Sequence, residues 1–261
     1  MQDSACKPNL RAHQTPGAQV QSTADGGWKL AIPSGSAKRY RLAQLDDYML
    51  HPRRKFCWQP PLALELRARA SRPDVPGTWG FGFWNDPFSV SLGLKGAARR
   101  LPVLPNTAWF FFASPPNYLA LNDDHPATGL LAAVFSSPNL PPLLLSPVLL
   151  TLPFLAWRFT ARLLRRAARW LVNETAVSLN DDVTVWHSYR IELRLKHTDF
   201  WVDGEKRASV SIAPRGSLGL VIWIDNQYAA FPPDGRLRFG TLADDQDAYL
   251  EIENLEILKL R

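Results

Sequence analysis

From residue 28 onward, short segments of alternating apolar and polar side chains follow one another, separated by turn residues. A chain written this way buries its apolar side chains by packing sheets, because the side chains of a strand point to opposite faces with a period of two. Leu62, Leu64 and Leu66 alternate with Ala63, Glu65 and Arg67. Thr78 to Phe88 puts Trp79, Phe81 and Phe83 on one face and Gly80, Gly82 and Trp84 on the other. Glycines inside a strand mark a face that something approaches closely, or one that borders a groove. Ala108 to Ala113 is apolar on both sides. Further strands are read at Ser188 to Lys196, with Tyr189, Ile191, Leu193 and Leu195 inward, and at Phe200 to Val202, Arg207 to Ile212, Leu218 to Ile224 and Leu237 to Phe239. The last runs from Tyr249 to Lys259, with Leu250, Ile252, Asn254, Glu256 and Leu258 on one face. Asp203-Gly204 is a hairpin signal. Short strands at regular spacing predict a sandwich or barrel. The 22 prolines suit many turns, and ten Trp with thirteen Phe suit half-buried pleated surfaces.

The expected organisation is a flexible tail over 1–25 and one β-sandwich domain over 26–261, interrupted by an insertion at about 125–180. Within the insertion, Phe154 to Val172 has helical periodicity. Arg158, Arg162, Arg165, Arg166 and Arg169 fall on one side of that helix, and Phe159, Leu163, Leu164, Ala167, Trp170 and Leu171 on the other. The stretch Pro126 to Trp157 has no charged residue, but five prolines break it as a membrane-crossing helix. Net charge is +6; without the five helix arginines it is +1, so the basicity belongs to one segment and nucleic acid is not an expected partner. Two cysteines, Cys6 and Cys57, make no disulfide framework, and a reduced interior is expected. The polar stretch Met1 to Asp25 reads as no signal peptide, which suggests a cytoplasmic protein, membrane-peripheral if the helix binds lipid.

Four segments, in order, resemble glycoside hydrolase family 16 of the concanavalin A-like lectin/glucanase superfamily. Leu64 to Arg69 followed by Gly77 to Trp84 resembles its "EARxK … GxWPAFW" region. Trp186 to Glu192 resembles "FHxYxIEW", Phe200 to Gly204 "FYVDG", and Tyr249 to Leu258 "DYVRVY". The resemblance implies an all-β fold, a concanavalin A-like jelly-roll β-sandwich with one inserted amphipathic helix, whose concave face binds polysaccharide in relatives. It also implies an E-x-D-x-x-E motif on one strand. The corresponding strand here is Thr107 to Ala113, which contains no acid. Retaining hydrolysis needs two carboxyl groups about 5–5.5 Å apart, so the usual glucanase mechanism is not expected.

The leading expectation is therefore a non-catalytic carbohydrate-binding module. Its ligand residues are read as Trp84 and Asn85, the aromatic replacements Trp109 and Phe111, and the cluster Trp223, Asp225, Asn226, Gln227 and Tyr228. Aromatic platforms beside amides and carboxylates suit sugar rings and their hydroxyls. Against this, Asn85-Asp86-Pro87 is also a common turn opener, and Asp225 with Asn226 can cap backbone. A first alternative is a glycosidase with displaced carboxylates, Glu192 and Asp225 being the candidates. A second uses Arg158, Arg162, Arg165, Arg166, Arg169 and Trp170 on an anionic membrane surface, or as a lid over an apolar groove. The helix can equally pack its apolar face on the sandwich and solvate its arginines. His187 reads as structural, Asn122 to His125 as a solvated loop, and neither metal nor cofactor is expected.

Overall fold

The computed structural model describes residues 8–87, 100–141 and 157–260. Two seven-stranded antiparallel sheets pack face to face. With strands numbered in chain order, the first sheet runs β1 (Arg11–Gln14), β4 (Leu42–Asp46), β13 (Gly219–Asp225), β6 (Thr78–Trp84), β7 (Thr107–Ala113), β8 (Gly129–Ser136), β9 (Asn173–Leu179). The second runs β12 (Glu205–Val210), β11 (Thr198–Val202), β10 (His187–Leu193), β5 (Leu62–Ala70), β16 (Ala248–Lys259), β3 (Trp28–Ile32), β2 (Gln19–Ser22). A small ribbon pairs β14 (Gln227–Ala230) with β15 (Arg238–Thr241). This is the expected jelly-roll sandwich, with one inserted α-helix among the described residues.

The core sits between the sheets and follows the alternation read from the sequence. Trp79, Phe81 and Phe83 of β6 and Phe110 of β7 meet Tyr189, Ile191 and Phe200 from the second sheet. Each such side chain removed from water contributes about 1.5–3 kcal/mol. The Asp203-Gly204 hairpin forms as expected, with both residues at positive φ and β11 paired to β12. His187 closes the same corner, its Nδ1 2.5 Å from an Asp203 carboxylate oxygen and its Nε2 2.9 Å from the Asp182 carbonyl.

Several expectations are corrected. The described part of the N-terminal tail is not free: β1 pairs with β4, β2 pairs with β3, and Ala18 between them is buried. Two exposed strands leave little apolar periodicity to read, yet their backbones complete both sheet edges. The insertion is shorter than expected, because β8 and β9 are full members of the first sheet. Leu195 lies beyond β10 in a turn closed by the Arg194 N–H to the His197 carbonyl, and is 76% exposed. In β16 a bulge between Glu253 and Glu256, with Asn254 at positive φ, reverses the alternation. Leu255 and Ile257 therefore pack on the core while Leu258 faces out. Cys57 is disulfide-bonded, not reduced; the only other cysteine, Cys6, lies outside the described residues.

The helix, α1 (Arg158–Leu171), corrects the packing expectation. It docks through Ala161 and Arg165, while Phe159, Leu163, Trp170 and Leu171 are exposed. Arg165 is 3% exposed: its guanidinium donates to the carbonyls of Ala120 (2.8 Å) and Phe231 (2.6 Å) and pairs with Asp123. The loop 122–125 is thus an anchor for the helix as well as a solvated turn. No described helix is long and apolar enough to cross a membrane.

Candidate functional site

The outer face of the first sheet carries an aromatic pavement. Trp109 of β7 lies with its ring 5.3 Å from both Phe111 and Trp223, 6.0 Å from Trp84 and 6.4 Å from Phe135. The glycines of β6 make room for it. Gly80 pairs with Phe111 on one side and Trp223 on the other, and a Cβ there would lie 2.8 Å from the Trp223 ring. At Gly82 it would lie 2.6 Å from Trp109 Cβ. The close approach that strand glycines signal is therefore the leaning of two indoles across β6. Tyr48, from the loop after β4, closes one end, its ring 5.8 Å from Trp84 and 5.2 Å from Phe56.

Beside Trp109 the pavement drops into a shallow recess of about 20 Å³. Trp109, Phe111, Leu119, Pro126 and Phe135 line it, and every lining side chain but Glu174 is apolar. Glu174 of β9 accepts the Leu121 N–H at 2.6 Å and the Asn122 N–H at 3.2 Å. Burial raises its pKa above the usual carboxylate range, opposed by those two donors and by His125 and Arg165 nearby. None of the described helix residues lines the recess, so α1 is not its lid.

The polar candidates read from the sequence divide. Asp225 stands at the end of the pavement, its carboxylate accepting from Thr78 Oγ1 (2.7 Å) and from the Tyr40 hydroxyl (3.2 Å). Trp223 Nε1 donates to that same Thr78 oxygen at 2.9 Å. Burial pushes Asp225 up to about 6 against these hydrogen bonds. Asn226 is wholly buried and holds three backbone groups: it accepts from the Arg41 N–H and donates to the carbonyls of Arg39 and Leu242. It is structural, not a ligand residue. Asn85 is likewise spent on backbone, donating to the Leu104 carbonyl and accepting the Asn106 N–H. Gln227 and Tyr228 belong to the separate ribbon, where Tyr228 packs over Gly240. Trp84, Trp109, Phe111 and Trp223 are thus brought together, and the amides are not.

Glu192 and Asp225 cannot form a catalytic pair. Glu192 projects from the outer face of the second sheet, held by Arg190 at 2.6 Å and Arg194 at 3.4 Å, with the whole core between it and Asp225. Sequence separation and residue type made them equivalent candidates; only the assignment of strands to sheets separates them. Glu174, Phe135 and Tyr48 were missed as site residues. Glu174 had a signal, being the first acid after a run of 49 residues beyond Asp124 without one.

No family model matches the chain, and no curated protein matches its sequence. Among solved structures it is similar to a β-glucanase of Bacillus licheniformis, with a TM-score of 0.50 and 12% identity over 99% of this chain and 100% of that one. It is also similar to a family 16 endo-glucanase of Bacteroides ovatus, with a TM-score of 0.51 and 8% identity over 95% and 94% of the two chains. The fold is that of the family 16 glucanases. On β7 of this glucanase-type sandwich, where the sequence resemblance sets the acidic motif, the outward side chains are Thr107, Trp109, Phe111 and Ala113.

Three described carboxylates on that outer face, carried by β4, β13 and β9, are widely spread. Asp46 and Asp225 lie on neighbouring strands but four residues apart along them, roughly 14 Å. Glu174 is four strands from Asp225, about 19 Å across the sheet. Asp46 is itself occupied, accepting from Gln44 Nε2 and from the N–H groups of Tyr48 and Met49. Neither the retaining spacing nor the inverting one of about 6.5–9.5 Å is met by these three.

Proposed function

We propose that the protein is a non-hydrolytic carbohydrate-binding module on a glucanase-type sandwich. The observation that carries this reading is the outward face of β7, the strand that the sequence resemblance assigns to the acidic motif, where Trp109 and Phe111 stand stacked and no acid is present. The apolar face of a pyranose ring stacks on an indole; Trp109 offers a half-buried ring at the recess, and Trp84 another beside it. Glu174 supplies the polar group that orients a hydroxyl in an otherwise apolar site.

A thermal-shift panel of soluble glucans and galactans tests this. A ligand at a hundred times its Kd stabilises the fold by about 2.7 kcal/mol, and the shift should vanish in Trp109→Ala. Release of reducing ends that disappears in Glu174→Gln would replace the proposal with a hydrolase. A second reading, an apolar ligand lying over the pavement and its shallow recess, is favoured by their apolar lining; shifts with aromatic or lipidic compounds and none with glycans would select it. Because disulfides persist in oxidising compartments, the bonded Cys57 supports a place outside the reducing cytoplasm.

A further inference from the structure

The helix α1 is mounted with its faces reversed relative to an ordinary surface helix. Such helices turn the apolar stripe to the core and the charges to water. Here the docked face is Ala161 with the buried guanidinium of Arg165, and the apolar stripe is left in solvent. Phe159 is 79% exposed, Leu163 56% and Trp170 92%. At 3.6 residues per turn these three fall within an arc of about 40°, a continuous strip of two aromatic rings and a leucine.

Arginines border one side of that strip. Arg158, Arg162, Arg166 and Arg169 are exposed, and they lie between the stripe and the docked face. Arg162 and Arg169 each also reach back to the body, to the Asp234 carbonyl and to Asp123. There is no acidic side chain on the helix. The chain preceding it, 142–156, has no charged residue either. A protein partner of ordinary composition would meet an apolar strip and a row of like charges together. A bilayer surface presents both complements at the right depth: acyl chains for the rings, and phosphates a few ångströms above them for the guanidinium groups. Trp and Arg are also the side chains that settle at that boundary.

We propose that α1 is a membrane-docking helix that seats this protein, parallel to the surface, on an anionic lipid bilayer. Anchoring by Arg165 fixes which face is outward, so the sandwich is held in one orientation relative to the lipid. The pavement and recess contribute no residue to this surface, so the site is separate from the glycan reading and stands or falls without it.

The test is co-sedimentation of the full chain with phosphatidylcholine vesicles, with and without added phosphatidylserine, at low and high salt. Binding to the phosphatidylserine vesicles, weakened by salt, is expected. Phe159→Ser with Trp170→Ser should lower the partition coefficient at least tenfold, and both positions are exposed enough to leave folding intact. Arg158→Gln with Arg166→Gln should lower it about fivefold per arginine. Failure to sediment with either vesicle overturns the proposal, as does undiminished binding by the Phe159/Trp170 variant. A dimer that Trp170→Ser dissociates, with no vesicle binding, would show instead that a second copy covers the face.

Discussion

Arg165 makes the buried polar contacts that dock α1, and its replacement has a calculable outcome. Arg165→Met keeps the length of the stem but removes two donors to buried carbonyls and the partner of Asp123. It also removes the cation stacked 5.6 Å from Tyr118 and 5.8 Å from Phe231. Hydrogen bonds to a charged group are worth about 1.5–3 kcal/mol each, so the helix should lose about 3–6 kcal/mol of docking energy. At 1.36 kcal/mol per factor of ten, even the lower figure raises the undocked population more than about a hundredfold. Neither apolar core cluster includes a residue of the helix, so the loss should be local and the main unfolding transition should barely move. Limited trypsin digestion reads this directly. Arg158, Arg162, Arg166 and Arg169 are cleavage sites within the helix, and cutting tracks the open population when closing is fast. Accelerated cleavage with a preserved melting transition is expected. Equal cleavage rates in variant and parent would show that the helix is held by something other than Arg165.

Asp225→Asn should flatten part of the pH dependence of stability. With a native pKa of about 6 against an ordinary 3.8, the folded state holds the proton more tightly. This group therefore lowers stability as pH rises from about 4 to 6, by roughly 3 kcal/mol in all, and adds nothing above that range. Urea titrations across that interval should show a shallower slope in the variant, with a residual slope from Asp47, which burial also lifts to about 6. Gly80→Ala should cost about 1–3 kcal/mol, because the new Cβ meets the Trp223 ring and the Phe110 carbonyl; a melting temperature equal to the parent's would refute the close approach. Asn226→Ala strands the Arg41 N–H and the carbonyls of Arg39 and Leu242 and should destabilise by about 3 kcal/mol. If it weakened ligand binding without loss of stability, the structural role would be wrong.

What could be read from the sequence was what period two and local turn chemistry encode. Trp79, Phe81 and Phe83 declared their inward face, Gly80 and Gly82 declared a close approach, and Asp203-Gly204 declared a hairpin. That Thr107 to Ala113, the strand the resemblance sets against the acidic motif, holds no acid was also visible. What was hidden depends on distant partners or on one backbone angle. The reversal in β16 turns on Asn254 at φ 53°, which no alternation pattern signals. The inward turn of Arg165 depends on carbonyls 45 and 66 residues away. Without them, burying an arginine and exposing a tryptophan is the costlier arrangement. Glu192 and Asp225 fell to different sheets for the same kind of reason.

The short connection that carries the chain from β1 in one sheet to β2 in the other has a further consequence. It lays one strand along the edge of each sheet, over β4 and over β3, so a few polar residues mask two rows of backbone donors and acceptors at once. A chain clipped just before Trp28 would keep its aromatic core and yet bare both edges on the same side. Such a molecule is a template for strand addition, and its fate would be decided by how fast it meets another of its kind rather than by how stably it folds.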